Sequence, residues 1–258
     1  MALPGGRCNH ATPTALLNVT NTTPSQPETT PTSRPLRVLV TAGPTWEPVD
    51  AVRFLGNRSS GRLGAELARA AGDLGHLVTL LRGPGTIDTS SHPRISEVRF
   101  QSAADLDREL QNRWPTHDLL IMAAAVADFR PLQRPDTPRK IRRSDGVHSL
   151  DLEPVPDLLA GLAEIDHPAG TRIGFALEPE DGLLEAARAK LVRKDLHAIV
   201  ANPLETMDSD RILGRLLLRD GGEIQPPPGP IAKRDFADWL LARLVELHEA
   251  RVEQPPRH

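Results

Sequence analysis

An α/β fold, with a mostly parallel sheet and helices on both its faces, is what this sequence predicts, on three observations. Short apolar runs recur as strands, amphipathic segments at helical spacing separate them, and turn formers mark the joints. The 258 residues suit one ordinary domain, or a domain with a small subdomain, and are ample for a real core. Residues 1–35 stand apart. They are rich in Thr, Pro, Ser and Asn and bury too little to offset their ordering, so a disordered tail is expected there, with another over 253–258. The ordered chain then spans 36–252.

Residues 36–41 (LRVLVT) read as the first buried strand, followed by Ala42-Gly43-Pro44-Thr45. Leu63, Leu67, Ala71 and Leu74 recur at helical spacing, with Ser59 or Ser60 offered as N-cap and Gly75 as stop. A second strand covers 77–81, ended by Gly83-Pro84-Gly85, and a third covers 95–100. It leads into a helix over 102–114, where Ser102 and Asp105 have capping-box spacing. Residues 118–125 (DLLIMAAA) form a fourth, nearly continuous apolar strand. The second half repeats the alternation with a helix over 156–164, a strand over 172–176, a helix over 183–194 and a strand over 197–201. Residues 211–219 and a return strand after Gly221-Gly222 resemble a hairpin. A final amphipathic helix spans 231–251 through Phe236, Leu240, Leu244 and Leu247. The sum is a Rossmann-like domain, in which ligands bind beyond the carboxyl ends of the strands. The loops after Thr41, Leu81, Ala125, Ala176 and Ala201 are therefore where chemistry is sought.

Composition removes several functions. With 31 Lys+Arg against 34 Asp+Glu, the net charge of −3 lacks the basic face of a nucleic-acid binder. No run approaches the ~20 apolar residues that cross a bilayer. The one cysteine, Cys8, lies in the tail, which excludes an intramolecular disulfide, a CxxC centre and a catalytic thiol, and points to a reducing cytoplasm. That tail lacks the basic start and apolar stretch of a signal peptide, so its sequons at Asn18 and Asn21 carry no meaning. The nine histidines form no HxH or HxxxH pair, leaving a zinc site or a Ser-His-Asp triad without support.

Three loops can carry chemistry. The first runs through Gly43, Asp50, Arg53, Asn57, Ser59, Ser60, Gly61 and Gly64. Two hydroxyls and a glycine opening a helix suit an oligophosphate: backbone N–H groups and the helix dipole face the anion, and Gly61 lets it approach. The same residues also fit an ordinary serine cap. No GxGxxG and no GxxxxGK[ST] is present, which weakens a nicotinamide cofactor or a phosphate-loop ATPase. The fourth strand empties into 123–131 (AAAVADFRP), where alanines leave room for a bulky ligand against backbone. Asp128 supplies a carboxylate there, for a hydroxyl, an amide or Mg²⁺. Tight packing with Asp128 as a cap explains that stretch equally. The basic excursion from Arg130 to Ser144, with Arg134, Arg139, Lys140, Arg142 and Arg143, reads either as a flap over anionic substrate or as a solvated loop.

In combination these stretches resemble phosphopantothenate–cysteine ligases, over about residues 36–250. The likeness is carried by Thr41-Ala42-Gly43-Pro44-Thr45, Glu47-Pro48, Asp50, Arg53, residues 57–64 (NRSSGRLG) and residues 123–131. It continues through Lys140-Ile141-Arg142-Arg143, Pro156-Asp157-Leu158-Leu159, Gly174-Phe175-Ala176, Lys190 and Lys194. The resemblance implies a Rossmann-like fold with a small subdomain that makes a homodimer. It implies joining of 4′-phosphopantothenate to L-cysteine through an acyl-nucleotide, an acyl-cytidylate made from CTP with ATP as the alternative co-substrate, and Mg²⁺ whose ligands stay unassigned. The flavin-dependent decarboxylase half found in many relatives has no counterpart here, so a stand-alone ligase is expected, with decarboxylation supplied by a separate chain.

By this resemblance Gly43, Ser59, Ser60 and Gly61 lie at the triphosphate, and Asn57 serves acyl-nucleotide turnover and a substrate amide. Ala124, Ala125 and Asp128 line the meeting point of nucleotide and phosphopantothenate. Lys140 belongs to a catalytic flap over about 130–146. Pro156, Asp157, Leu158, Leu159, Phe175, Lys190 and Lys194 hold nucleotide, with Phe175 packing the base. Departures bear on CTP against ATP: Arg142 and Arg143 stand for lysines, Leu177 for a second alanine and Trp46 for an arginine. The Phe and later Asn usual near 207–212 are missing. A nicotinamide-dependent reductase lacks its glycine fingerprint and any tyrosine. A non-catalytic nucleotide-sensing module would not need Lys140 and Asn57 together with the alanine strand.

Overall fold

In the computed structural model, the first apolar run becomes β1 (Arg37–Ala42), with every residue after Arg37 buried. The structure describes residues 34–88, 91–132, 140–207 and 209–253. The expected tails, with Cys8, and the flap's Arg134 and Arg139 lie outside the described residues except at their margins. Where the sequence predicts one unbroken loop, β2 (Trp46–Pro48) and β3 (Phe54–Gly56) pair as a small hairpin, with Trp46 stacked on Phe54 at 3.8 Å. Then come α1 (Arg62–Asp73), β4 (Leu77–Arg82), β5 (Ile95–Arg99), α2 (Ala103–Arg113) and β6 (Leu119–Met122). A second small hairpin, β7 (Phe129–Pro131) with β8 (Leu152–Pro154), flanks the flap. The chain continues through α3 (Leu158–Gly161), β9 (Thr171–Glu178), α4 (Leu183–Arg193), β10 (Ala198–Pro203), β11 (Arg211–Ile212), β12 (Arg215–Leu218), β13 (Glu223–Ile224), β14 (Ile231–Ala232) and α5 (Lys233–Glu253).

The main sheet runs β13-β12-β10-β9-β6-β1-β4-β5. Its six parallel strands, counted in chain order, lie 3-2-1-4-5-6, the doubly wound Rossmann arrangement, and the order reverses between β1 and β6. Both faces are covered, which is why the strands read as continuous apolar runs rather than alternating ones. Val38, Val40, Leu80 and Ile121 face α1 and α5, while Leu39, Leu81 and Leu120 face α2, α3 and α4.

Four expectations need correction. α1 is not capped by Ser59 or Ser60; Gly61 occupies the N-cap at φ 65°, and no side chain caps the helix. The serine hydroxyls instead accept from the N–H groups of Gly61 and Arg62, at 3.3 and 3.4 Å. The helix expected over 156–164 is a single α turn from Asp157, whose carboxylate accepts the Ala160 N–H at 3.2 Å, followed by a 3₁₀ turn. The expected hairpin forms only in part: β12 and β13 pair antiparallel across Gly221-Gly222, with β12 antiparallel to β10 in the main sheet, whereas β11 leaves to pair with β14. The fourth strand stops at Met122 rather than Ala125, because side-chain hydroxyls take the amides that would have continued the ladder. The Ser102–Asp105 capping box forms as the spacing predicts.

At the opposite, amino-terminal rim, histidines take up backbone amides of the sheet's margin and a carbonyl at the end of α2. His76 Nδ1 accepts the Leu36 N–H at 3.2 Å, and His197 Nδ1 accepts the Arg172 N–H at 3.0 Å. His117 donates from Nδ1 to the Arg113 carbonyl at 2.7 Å and accepts at Nε2 from Thr79 at 3.0 Å. Burial holds all three below the usual imidazole range, His197 at about 4.

Candidate active site

The sheet's order reverses between β1 and β6, and the loops leaving those two strands are stitched to one another. Thr41 and Thr45, both fully buried, use their hydroxyls to accept the N–H groups of Ala124 and Ala127 at 3.0 Å each. Backbone bonds join Ala125 to Gly43 at 2.9 Å and Thr45 to Ala125 at 3.3 Å. Asn57 adds a third tie: its Nδ2 donates to the Val126 carbonyl at 2.9 Å. The alanine loop is thus held by Thr41, at the end of an apolar run, and Thr45, in the turn beyond it, and no sequence pattern marks either as a tie to a loop about 80 residues away.

A cleft of about 940 Å³ opens beside this seam. One wall is the start of α1, where Asn57, Ser59, Ser60 and Gly61 face the alanines of the β6 loop. With no acidic residue in its first turn and no side-chain cap, α1 turns the positive end of its dipole towards the cleft. Gly61 is required here twice over. Its φ of 65° disfavours any side chain, and a Cβ would lie 2.5 Å from the Thr86 hydroxyl and 2.9 Å from the Gly43 nitrogen.

The far wall comes from α3, β9 and α4. Lys190 pairs with Glu178, and Lys194 pairs at 3.1 Å with Asp157, the residue that also caps α3. Phe175 and Leu177 line this end, with Leu204 and Met207 from the segment after β10. Arg62 and Lys233, which sequence reasoning did not single out, also reach the cleft, and Arg62 forms an ion pair with Asp210. Cationic side chains thus outnumber the two lining carboxylates, Asp128 and Asp157. Such a cavity suits an extended, multiply anionic ligand.

The cleft therefore gathers Asn57, Ser59, Ser60, Gly61, Ala124, Ala125, Asp128, Pro156, Asp157, Leu158, Leu159, Phe175, Lys190 and Lys194. It does not include Gly43 or Lys140. Gly43 lies behind the α1 turn, where an added Cβ would meet Thr86 Oγ1 at 2.0 Å. Lys140 is exposed beyond the cleft's lining. No group of three His, Cys, Asp or Glu converges among the described residues.

These features define a class: a Rossmann-like α/β protein whose switch-point cleft, lined by a helix start and several cationic side chains, suits an anionic ligand. The profile of the DNA/pantothenate metabolism flavoprotein C-terminal domain matches residues 34–247, and the chain belongs to that family. It is 36% identical over 231 residues to the coenzyme A biosynthesis bifunctional protein CoaBC of Bacillus subtilis, covering 86% of this chain and 55% of that one. It is 42% identical over 177 residues to a prokaryotic protein named cysteine/cysteine sulfinic acid decarboxylase, covering 67% of this chain and 48% of the relative. The chain spans about half the length of the curated relatives it matches. Among solved structures, the C-terminal domain of a CoaBC superposes with a TM-score of 0.68 at 32% identity, covering 83% of this chain and 96% of that one. No helix among the described residues is long and apolar enough to cross a membrane.

Proposed function

We propose that this chain is a phosphopantothenate–cysteine ligase, using CTP in preference to ATP, in the coenzyme A route named for its CoaBC relatives. One observation carries the reading: the asparagine, the Ser-Ser-Gly helix start, the alanine wall and the α4 lysines, far apart in sequence, share one cleft.

A carboxylate is a poor electrophile, so its oxygen first attacks the α-phosphorus of the nucleotide and pyrophosphate departs. The amine of cysteine then attacks the acyl carbon of the mixed anhydride, and CMP leaves. The N–H groups opening α1 and the hydroxyls of Ser59 and Ser60 hold phosphate oxygens, while Lys190 and Lys194 balance charge. The short alanine side chains let the acid lie against backbone, in line with the α-phosphorus. Asn57, fixed through Nδ2, keeps its Oδ1 for a substrate amide. Lys140 acts on the nucleotide from outside the lining. Mg²⁺ fits this donor set: Asp128 has no side-chain partner among the described residues, and this ion is commonly held by one or two carboxylates with substrate phosphates. When bound, it would neutralise phosphate charge, with Asp128 as its protein ligand.

The working unit is a homodimer. Val52, Phe54, Phe129, Leu150 and Leu152 stand 47–62% exposed on the two small hairpins, which touch through β2 and β7. A second copy would cover this apolar face, and sedimentation at a monomer's mass would count against it.

The test is pyrophosphate release that requires 4′-phosphopantothenate and nucleotide, followed by CMP release that requires cysteine, run side by side with CTP and ATP. No pyrophosphate with either nucleotide would end the ligase reading. Lys140→Gln is expected to cut turnover sharply with an unchanged unfolding transition, and near-normal activity would remove Lys140 from the mechanism.

A further inference from the structure

Lys140 lies outside the cleft's lining, yet the residue that follows it is gripped on both sides of its backbone. The Ile141 N–H donates to Asp50 Oδ2 at 3.0 Å, and the Ile141 carbonyl accepts from Arg53 Nη1 at 3.2 Å. Asp50 and Arg53 also pair directly with each other. Asp50 Oδ1 accepts the N–H groups of Val52 and Arg53, at 2.8 and 2.7 Å. Those two bonds close the local turn between β2 and β3, as aspartate side chains often do. Asp50 Oδ2 and the Arg53 guanidinium pair with each other within the turn, and both also reach out of it. They reach 91 and 88 residues along the chain to the segment carrying Lys140.

Two further observations set this apart from a surface contact. The Asp50 side chain is fully covered, so its charge is answered by donors rather than by water. The Ile141 N–H, ahead of the Val52 and Arg53 amides and the Arg53 charge, holds the Asp50 carboxyl at about 2, so it stays ionised through the neutral range.

We propose that Asp50 and Arg53 are positioning residues for Lys140: by clasping the peptide groups of Ile141 they fix where the neighbouring ammonium can act. Neither touches the reacting atoms in this scheme. The inference rests on the ligase reading, since it supposes that Lys140 serves the nucleotide.

The experiment is a double-mutant cycle on the full chain with Asp50→Asn, Lys140→Gln and the pair, reading pyrophosphate release with 4′-phosphopantothenate and CTP. Asn keeps the shape and the local turn but replaces the Oδ2 acceptor with a donor. Misplacing the backbone after Lys140 is expected to lower kcat by about tenfold or more, and the pair should be no slower than Lys140→Gln alone. A residue that merely stabilised the fold would instead add its loss to that of Lys140→Gln. Hydrogen exchange gives a second readout that needs no turnover: the Ile141 amide should exchange faster in Asp50→Asn while amides of β1 and β6 keep their rates. The proposal is overturned if Asp50→Asn stays within twofold of the unsubstituted chain, if the two losses multiply, or if Ile141 exchange is unchanged. A chain that releases no pyrophosphate at all, with Ile141 exchange responding as expected, would instead sink the ligase reading and leave the clasp standing as structure.

Discussion

The seam between the β1 and β6 loops can be cut one atom at a time, most cleanly at Thr45. Thr45 is 0% exposed, Ala127 is 5% exposed, and the hydroxyl of the first accepts the N–H of the second at 3.0 Å. Thr45→Val keeps the shape and volume, so no cavity and no overpacking enter. What changes is a buried N–H left without its acceptor, which costs about 1–3 kcal/mol. For a domain of this size that is a fall in melting temperature of roughly 2–12 °C. Thr45→Ser is the control: it loses one methyl group, worth about 1 kcal/mol, and keeps the acceptor. The assay is thermal or urea unfolding followed by tryptophan fluorescence, with titration of nucleotide alongside. The Val variant should lose nucleotide affinity as the alanine loop relaxes, and the Ser variant should retain it. If Val melts with the unsubstituted chain, or if Ser loses affinity as much as Val, the hydroxyl does not hold the loop.

Gly61→Ala should destabilise the fold by at least about 1–2 kcal/mol through its left-handed backbone alone, and should weaken nucleotide binding further. A variant with unchanged melting and affinity would contradict the tight turn seen against Thr86. Asn57→Asp is expected to slow consumption of the acyl-nucleotide, read as its accumulation in a quenched reaction; an unchanged product profile would speak against that role. His197, held at about 4 against an ordinary 6.5, makes stability pH-dependent. The unfolded chain takes the proton first, so stability is full above about 6.5 and falls as the pH drops towards 4, by about 2 kcal/mol between pH 7 and 5. Urea midpoints should show this slope, and His197→Asn, which places an oxygen where Nδ1 stood, should reduce it, leaving the part that His76 and His117 contribute.

The parallel strands were legible because burial on both faces leaves unmistakable apolar runs, as in Val38-Leu39-Val40. The Ser102 capping box was legible because its chemistry is local. What went unread depends on distance. β2, β3, β7 and β8 are three-residue strands in polar, proline-containing loops and have no periodicity to detect. Ser59 and Ser60 looked like caps because nothing in the sequence says that Gly61 turns left-handed. The alanine strand ends three residues before its apolar run does, because that end is set by hydroxyls about 80 residues earlier. The cleft follows the same division. Spacing suggested the helix start and the alanine wall one at a time, while the pairing of Lys194 with Asp157 and the clasp on Ile141 exist only once the chain is folded.

The histidines at the amino-terminal margin and the ligand cleft at the carboxyl margin sit at opposite ends of the same parallel strands. Acid tolerance and the make-up of the cleft are therefore set in separate places, with the length of the parallel strands between them. Replacing the imidazoles can harden this chain against low pH without retuning what it binds, and redesigning the cleft need not spend the robustness gained below.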